Sequence, residues 1–357
     1  MHRRGIVDPS SAPKVNIVIP NWNGLRFLPA CLNSIERQTY SSVEITIVDN
    51  GSNDGSEGYL RKHYPQVRLI TLPENLGFSS AVNAGIKSCE APYVFLLNND
   101  TELHKDCLQH LLTAAEEFPE YDFFSPKMLS FHHRTIIDGA GDSYLRGGGG
   151  YRLGAMEEDC AVYNRPGPVF GACAGAGLYR RALFDKIGFF DEDFFAYLED
   201  VDLNLRINRF GSTGYYLPAA RVYHIGSATS GSKINPFTVR LTARNSLFLL
   251  LKNYPVSLFV RFLPVIFIYQ FFWFLFAVKK QQALAYSRGI WQGLTAWKRM
   301  RKKYHEQLAC QKVISIEEFA ARLRDAEIST ITSLMHRRQA AGKKNGMLQL
   351  YLTFFCR

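Results

Sequence analysis

The amino-acid sequence predicts an α/β fold in which a mostly parallel central sheet is flanked by helices and followed by a helical C-terminal region. Short apolar runs rich in β-branched residues alternate with stretches of helical periodicity between residues 15 and 128. This alternation is typical of a parallel sheet with helices on both faces. Each run ends in turn-forming residues, as strands of such sheets do. A long apolar segment and a basic stretch replace this pattern after residue 255.

The strand and helix predictions follow the chain in order. We expect strands at Val15–Pro20, Val43–Asp49, Val67–Leu72 and Tyr93–Leu97, and helices at Phe27–Arg37, Ser56–Tyr64 and Phe78–Lys87. Ligands of open parallel sheets bind beyond the carboxyl ends of the strands. The residues directly after each run therefore matter most, at 21–24, 49–54, 73–77 and 98–100. Further on, the glycine run Gly147–Gly150 predicts a mobile loop.

Composition narrows the class of protein. The chain has 357 residues, of which 47% are hydrophobic and 13% aromatic, and this excludes a wholly disordered or collagen-like chain. Lys and Arg exceed Asp and Glu by 42 − 32 = +10, which points to an anionic partner. The seven cysteines form no CxxC pair, so neither a disulfide framework nor a zinc site is indicated. The polar N-terminus lacks an apolar signal segment, and we expect a reducing, cytoplasmic location.

The segment Val256–Val278 raises the question of a membrane. Its 23 residues carry a single charge, Arg261, and are long enough to span a bilayer. Basic residues flank it on both sides, so an in-plane or re-entrant helix keeps both flanks at one anionic leaflet. Pro264 and Gln270 also argue against a single transmembrane helix. A true span and a buried core helix remain the alternatives. A nucleic-acid partner is not expected, since no nucleic-acid motif accompanies the basic cluster.

Two strand ends carry candidate ligand groups. Asn98, Asn99 and Asp100 follow the fourth predicted strand, and oxygen ligands of this kind suit Mg²⁺ or Mn²⁺ shared with a diphosphate. An ordinary Asn/Asp turn is the alternative. Asp49 ends the second strand, where a carboxylate can accept hydrogen bonds from a nucleobase or a ribose hydroxyl. Capping of the next helix explains Asp54 but does not explain Asp49.

The third candidate group is acidic. Glu199, Asp200 and Asp202 fall within four positions, and closely spaced, partly desolvated carboxyl groups raise each other's pKa. A carboxylate of this kind can act as the general base for an acceptor hydroxyl. An acidic helix N-terminus is the alternative. His224 follows another apolar stretch and is interpreted either as a structural residue or as a metal or diphosphate ligand.

These signals, in this order, resemble family 2 glycosyltransferases of the GT-A fold, a Rossmann-like sheet flanked by helices. The similarity is to the rhamnosyltransferase-like branch that builds bacterial cell-surface polysaccharides, and it covers about residues 14–250. Each motif is weak alone, but six in order are specific. The motifs are Val18–Gly24 (VIPNWNG), Val48–Ser56 (VDNGSNDGS), Pro73–Gly85 (PENLGFSSAVNAG), Leu96–Asp100 (LLNND), the run Gly171–Leu203, and His224 with Arg244 and Asn245.

The resemblance implies an inverting transfer from a nucleotide-sugar donor, dTDP-rhamnose or a UDP-sugar. It implies a hydroxyl acceptor on a glycan, for which the apolar tail suggests a polyprenyl-diphosphate carrier at the inner face of the cell membrane. Asp200 matches the family's base, with Glu199 beside it. Asp100 and His224 match metal ligands for Mg²⁺ or Mn²⁺, although Asn98 replaces the first acid of the family's DXD motif. The nucleotide-sugar contacts implied are Pro20, Asn21, Asn23, Asp49, Asn75, Gly77, Phe78, Asn83, Asn98, Asn99 and Arg244.

The predicted organisation is therefore a disordered N-terminus at 1–13, a GT-A domain at 14–250, and a helical, membrane-associating region at 251–357. We expect the carboxyl groups of Asp100 and Asp200 to face one cleft. Two other functions stay open at this point. One is a non-catalytic protein that only binds nucleotide-sugar, for which Asn98 argues. The other is a sugar nucleotidyltransferase, although the glycine- and lysine-bearing N-terminal signature expected of that class is missing.

Overall fold

The structure is a computed structural model that describes residues 14–226, 234–310 and 313–356. The predicted disordered segment 1–13 lies outside the described residues. Twelve strands are present in the described chain. They are β1 (Val15–Asn21), β2 (Val43–Asn50), β3 (Arg68–Leu72), β4 (Tyr93–Leu97), β5 (Thr101–Leu103), β6 (Phe123–Ser130), β7 (Ile137–Gly139), β8 (Asp142–Leu145), β9 (Gly149–Arg152), β10 (Gly167–Val169), β11 (Ala176–Arg180) and β12 (Gly214–His224).

The helices fall into two groups along the chain. Two short 3₁₀ helices, at Ala161–Asn164 and Glu192–Phe194, accompany the α-helices of the sheet region. Those α-helices are α1 (Leu28–Glu36), α2 (Ser56–His63), α3 (Phe78–Lys87), α4 (Cys107–Glu117), α5 (Arg181–Ile187) and α6 (Glu199–Arg209). The C-terminal group is α7 (Pro236–Asn253), α8 (Val256–Arg261), α9 (Leu263–Lys279), α10 (Ala283–Thr295), α11 (Trp297–Cys310), α12 (Ile316–Ala340) and α13 (Gly346–Phe355).

The central sheet is mixed. Its order is β10-β12-β6-β11-β4-β1-β2-β3, with β5 added to β12 and β7 added to β6. The strands β3, β2, β1 and β4 run parallel to one another, as predicted for the first third of the chain. The strand β11 lies antiparallel between β4 and β6, while β6 and β12 again pair in parallel, so the prediction of a mostly parallel sheet is confirmed only in part. The order and bounds of the four predicted strands and three predicted helices are confirmed to within one residue.

Alternation along β1 explains why both faces of the sheet are covered. Val15, Ile17 and Ile19 pack with buried residues of α1 and α4, whereas Val18 packs with buried residues of α3, α5 and α6. Successive side chains of a strand point to opposite faces, so a strand that is apolar throughout needs helices on both sides. Each fully buried aliphatic side chain contributes about 1.5–3 kcal/mol to folding. The parallel strand ends are therefore held rigidly.

The glycine run Gly147–Gly150 is not a loop that projects into solvent. It forms the turn of the β8–β9 hairpin and the first two residues of β9. The hairpin packs against the C-terminal helices. A Cβ atom added at Gly147 would lie 2.1 Å from Tyr269 Cβ, and one at Gly149 would lie 2.2 Å from the Tyr269 hydroxyl. The prediction of a mobile loop is wrong because these glycines serve close packing.

The hairpin is also tied to α12. Arg146 donates to the buried carboxylate of Glu327, and Ser143 donates to the Ala326 carbonyl at 2.6 Å. Both partners of the ion pair are nearly inaccessible to solvent. The C-terminal helices therefore pack on the sheet region. The predicted domain boundary between residues 250 and 251 falls within α7, and the division into two domains stays a prediction.

The apolar segment 256–278 is divided between α8 and α9. The break at Phe262 precedes Pro264, whose ring favours the first turn of a helix and disfavours its interior. Within the described residues, none of the helices has the length and apolar character needed to cross a bilayer. Among the side chains that the structure describes, six cysteines are free thiols: Cys31, Cys89, Cys107, Cys160, Cys173 and Cys356.

Candidate functional site

Side chains at the carboxyl ends of the parallel strands form one buried, hydrogen-bonded row. The Asn99 amide donates to Asn21 Oδ1 at 2.7 Å, and Asn21 Nδ2 donates to Asp49 Oδ1 at 2.8 Å. The second carboxylate oxygen of Asp49 accepts from the backbone N–H of Ser52 at 3.1 Å. Because buried polar groups need partners, this row fixes the orientation of three predicted nucleotide contacts.

The turn after β2 is joined to the end of β1 by Asn23. This residue adopts the left-handed backbone conformation (φ 48°), which Asn tolerates better than most residues. Its Oδ1 accepts from the Asn53 N–H at 2.9 Å, and its own N–H donates to Ser52 Oγ at 2.9 Å. Pro20 lies half-buried in β1, opposite Val48. Both predicted residues thus border the same edge of the sheet.

The loop before α3 is shaped by two amides. Asn75 Oδ1 accepts from Asn50 Nδ2 and from the Gly77 N–H, each at 3.0 Å. Gly77 has φ 90°, and a Cβ atom there would lie 2.6 Å from the Phe195 carbonyl oxygen. Only glycine permits both this backbone conformation and this close approach. Gly77 and the adjacent Phe78 are therefore held against the segment that leads to Glu199 and Asp200.

Asn83 has its polar groups directed into the protein. Its Nδ2 donates to the Phe190 carbonyl at 2.9 Å and to Glu192 Oε1 at 3.0 Å, and its Oδ1 accepts from the Phe190 N–H at 3.0 Å. The ring of Phe78 meets that of Phe190 edge to face, with 6.4 Å between centroids. Asn83 thus joins α3 to residues 190–192, and a direct contact with nucleotide-sugar stays a prediction.

His224 lies between two carboxylates at the end of β12. Its Nε2 is 3.4 Å from Asp100 Oδ1, and its Nδ1 is 2.8 Å from Asp138 Oδ2. Burial lowers the pKa of His224, but the hydrogen bonds and charges of Asp100 and Asp138 outweigh burial and raise it above 6.5. Antiparallel pairing of His224 with Thr101 brings the imidazole next to Asp100.

Arg152 extends this cluster toward Asp200. Its Nη1 donates to Asp138 Oδ2 at 2.6 Å, and its Nη2 donates to Cys173 Sγ at 2.8 Å. Ligand atoms of Asp142, Cys173 and Asp200 all lie within 4.8 Å of one another. A series of polar contacts therefore leads from Asp100 through His224, Asp138 and Arg152 to Cys173, and the Cys173 sulfur lies within 4.8 Å of an Asp200 carboxylate oxygen.

The acidic groups at the far end of this series have raised pKa values. Burial raises the pKa of Asp142 to about 8, assisted by the negative charges of Asp200 and Asp138. Burial also raises the pKa of Asp200 above 3.8, while the positive charge of Arg152 opposes the rise. Burial and the charge of Asp200 hold the pKa of Glu199 well above its ordinary value. Such shifts are typical of sites that transfer protons.

Two sets of residues could bind a cation. Asp100 and His224 offer a carboxylate oxygen and an imidazole nitrogen that lie 3.4 Å apart, and the contact of Nδ1 with Asp138 fixes the orientation of the ring. This donor set suits a divalent ion such as Mn²⁺ and has the outer carboxylate that ligating histidines usually have. The set of Asp142, Cys173 and Asp200 fits a cation less well, because the Arg152 guanidinium already bonds to Cys173.

A strained turn precedes the acidic helix α6. Phe195 (φ 64°, ψ −66°) is the centre of a γ-turn in which the Ala196 N–H donates to the Phe194 carbonyl at 2.7 Å. The buried Asn245 of α7 donates to the carbonyls of Phe194 and Ala196 at 3.0 Å, and to that of Tyr197 at 2.7 Å. One amide from the C-terminal helices thus stabilises the segment that positions Glu199 and Asp200.

Arg244 and Asn98 are the remaining predicted contacts. Arg244 is partly exposed and donates to the carbonyls of Asp193 (3.1 Å) and Phe194 (2.8 Å), so part of its guanidinium serves the protein itself. Asn98 is half-buried beside Asn99, and its N–H donates to the Gly175 carbonyl at 2.9 Å. A bond from either side chain to a diphosphate stays a prediction.

Sequence reasoning missed Asp138, Asp142, Arg152 and Cys173. Asp138 and Asp142 stand in the segment IDGAGD (137–142), where two acids flank two glycines at the turn between β7 and β8. That pattern is a usable signal, since strand ends and turns carry most ligand groups. Arg152 and Cys173 have no local signal, because only the fold of the β8–β9 hairpin brings them together.

Comparison with known proteins identifies the family of the chain. The profile described as "Glycosyl transferase family 2" matches residues 16–188. The chain is 30% identical over 225 residues to the N-acetylglucosaminyl-diphospho-decaprenol L-rhamnosyltransferase of Mycobacterium tuberculosis, covering 56% of this chain and 72% of that protein. It is 28% identical over 231 residues to the uncharacterized glycosyltransferase YwdF of Bacillus subtilis, covering 63% of this chain and 75% of that one.

A solved structure supports the fold. The crystal structure of GalNAc-T7 with UDP, GalNAc and Mn²⁺ superposes with a TM-score of 0.55 at 16% identity, covering 68% of this chain and 48% of that one. This chain thus spans about half the length of that protein. A mixed α/β sheet resembling GT-A, with this sequence profile, defines an enzyme that transfers sugars. The chain belongs to glycosyltransferase family 2.

Proposed function

We propose that the protein is an inverting glycosyltransferase that moves a sugar from dTDP-rhamnose or a UDP-sugar to a hydroxyl of a lipid-linked glycan, in cell-surface polysaccharide synthesis. The observation that carries the proposal is the series of contacts that connects Asp100 to Asp200 through His224. This series links the proposed metal-ligand pair to the proposed proton acceptor. The name of the mycobacterial relative supports rhamnose and a diphospholipid acceptor.

Asp200 accepts the proton of the acceptor hydroxyl. The acceptor oxygen forms a bond to the sugar C1 while the bond from C1 to the diphosphate oxygen breaks, and the nucleoside diphosphate leaves from the opposite face. A carboxylate with a raised pKa suits this role, because its basicity lies closer to neutral pH. Glu199 lies beside it, toward the acceptor. General-base assistance of this kind contributes roughly 10²–10⁴-fold to the rate.

The donor is bound at the strand ends. Asn21, Asp49 and Asn99 face the nucleoside, and the loop shaped by Asn75 and Gly77 borders the sugar nucleotide, with Pro20, Asn23, Phe78, Asn83, Asn98 and Arg244 at the margins of the same site. Asp100 and His224 would hold the Mg²⁺ or Mn²⁺ ion, with Asn98 as a neutral neighbour. A bound divalent ion supplies positive charge that stabilises the departing diphosphate.

The helix α9 supports association with a membrane surface. It is apolar on all sides, and eight of its large hydrophobic residues are at least 37% exposed. The surfaces of soluble proteins rarely contain so large an apolar patch, and such patches mark contacts with lipid or protein. We propose that residues 251–357 attach the transferase unit, residues 14–250, to the inner face of the cell membrane, peripherally or monotopically.

A thermal-shift screen with dTDP-, UDP- and GDP-sugars and Mn²⁺ tests the donor. We expect one nucleotide-sugar to raise the melting temperature, and its nucleoside diphosphate to be released in the presence of acceptor. Asp200→Asn should retain donor binding and lose roughly 10²–10⁴-fold in turnover. Release of pyrophosphate would instead indicate a nucleotidyltransferase, and loss of donor binding in a folded Asp200→Asn protein would contradict the assigned base.

Flotation with lipid vesicles tests the membrane contact. The double variant Phe267→Ser and Phe271→Ser removes two stacked, exposed rings of α9. We expect its recovery with vesicles to fall severalfold. The control, Met156→Ser with Val162→Ser, removes equally exposed apolar groups from the sheet region and should bind as the native protein does. Equal losses in both proteins would argue against a role for α9.

A further inference from the structure

The helices α7 and α10 are packed unusually closely. A Cβ atom added at Gly289 would lie 2.3 Å from the Arg240 carbonyl oxygen, and one at Gly293 would lie 2.8 Å from Leu247 Cδ1. Two glycines four residues apart let the backbones of two helices meet at one face. The exposed side of α10 is thereby brought next to Arg240. The result is an open groove of about 550 Å³, lined by Arg240, Ser287, Arg288, Trp291 and Gln292.

The groove is strongly electropositive. Arg240 and Arg288 form no ion pair within the described parts of the chain, although both guanidinium groups line the groove. Burial lowers the pKa of the neighbouring Arg244 to about 10, and the positive charges of Arg240 and Arg299 add to this effect. Asp193, whose negative charge acts on Arg244, is already bound to Arg299 at 3.2 Å and to Lys303. Uncompensated guanidinium groups are the usual ligands for phosphate oxygens.

The rim of the groove is apolar. Trp291 is 69% exposed, and Leu284 and Leu294 on the same helix are 64% and 52% exposed. At helical spacing these side chains form one stripe with Arg288, so a cationic group stands among hydrophobic ones. The helix α9, which carries exposed apolar residues, precedes α10 in the sequence and contacts it. This combination matches a ligand with an anionic head and an apolar tail.

The groove also lies close to the proposed catalytic segment. Arg240 is one turn of α7, roughly 6 Å, from Arg244. Arg244 binds the carbonyls of Asp193 and Phe194, which open the segment leading to Asp200. A ligand phosphate held by Arg240 therefore stands beside the elements that position the general base.

We propose that the groove between α7 and α10 binds the diphosphate of a lipid-linked acceptor, with the lipid chain lying along the exposed faces of α10 and α9. The inference rests on the proposed function and adds a binding site to it. A diphosphate is favoured over the headgroup of an ordinary phospholipid, because two unpaired guanidinium groups match several negative charges better than the single charge of a phosphodiester.

Vesicle binding tests the site. Three populations are compared: phosphatidylcholine alone, phosphatidylcholine with polyprenyl diphosphate, and phosphatidylcholine with phosphatidylglycerol at the same total charge. We expect the native protein to bind the second population about tenfold more tightly than the third. The double variant Arg240→Gln and Arg288→Gln should lose that preference, since each charge-assisted contact contributes about tenfold. The control variant Lys62→Gln with Lys105→Gln removes the same charge from exposed positions of the sheet region. It should keep the preference for vesicles that contain polyprenyl diphosphate.

Three results would overturn the proposal. One is equal binding of diphosphate and phosphatidylglycerol vesicles, which would indicate general attraction to an anionic surface. Another is an unchanged preference in the double variant. The third is displacement from the vesicles by inorganic pyrophosphate alone, at the concentration of the lipid, which would indicate a site for free phosphate. The donor screen on the native protein is independent of all three, so it shows separately whether the proposed function fails.

Discussion

Replacing Asp138 would test how the metal-ligand pair is organised. Asp138 does not face the proposed ion; it holds His224 Nδ1 at 2.8 Å and so directs Nε2 toward Asp100. Asp138→Asn keeps an oxygen acceptor in place and removes the charge. Asp138→Ala removes both. In each variant Arg152 retains its contact with Cys173, so the connection toward Asp200 is only partly lost.

The expected magnitudes follow from those two losses. Outer carboxylates of metal-bound histidines typically account for 10–100-fold in metal affinity, and about tenfold corresponds to 1.4 kcal/mol. We expect Mn²⁺ to bind about tenfold more weakly to Asp138→Asn and about 100-fold more weakly to Asp138→Ala. Titration of the protein with Mn²⁺ in the presence of nucleoside diphosphate, followed by the paramagnetic resonance signal of free Mn²⁺, measures this without turnover.

A matched control is Asp185→Asn on α5, an exposed acid that forms an ion pair with Arg181 one turn away. It removes the same charge and should leave the Mn²⁺ affinity unchanged. Circular dichroism of each variant confirms that it is folded. Native Mn²⁺ affinity in both Asp138 variants would refute the assignment of His224 and Asp100 as the ion's ligands.

Three further predictions concern the same framework. Asp100→Ala should abolish the gain in donor affinity that Mn²⁺ provides, as measured by calorimetry with and without the ion; a persisting gain would contradict a ligand role. Turnover should fall as the pH is lowered through the raised pKa of Asp200, because the protonated acid cannot accept a proton; an acid limb at the pH of an ordinary carboxyl group would contradict this. Arg146→Ala leaves the buried Glu327 without its main partner and should lower the free energy of unfolding in urea by about 3–5 kcal/mol, against less than about 1 kcal/mol for the exposed Arg61→Ala.

The first third of the fold could be predicted because its signals are local. In β1 and α3, the period of apolar residues is set by the element itself, and turn-forming residues mark both ends. The antiparallel insertion of β11 could not be predicted in this way, because neither its direction nor its neighbours leave a mark on its five residues. The glycines at 147–150 misled for a related reason, since close packing and loop flexibility both select glycine.

The residues of the candidate site also differ in whether a local sequence signal marks them. Asp100, Asp200 and His224 could be singled out because each stands next to a recognisable motif. Asp138 comes from β7, and Arg152 comes from the β8–β9 hairpin, whose position depends on contacts with α7 and α12 that lie 98 and 181 residues away along the chain. Sequence patterns report neighbours along the chain, whereas this part of the site depends on neighbours in space.

The Asn245 amide has a practical consequence for protein engineering. The family profile ends at residue 188, yet the backbone that presents Asp200 is held by a side chain 45 residues beyond that acid. A chimera joined between Asp200 and α7 would take the γ-turn from one protein and its supporting amide from the other, and the position of Asp200 would then depend on a contact that neither parent contains. A chimera designed to exchange specificity between relatives should therefore take the sheet region and α7 from the same parent.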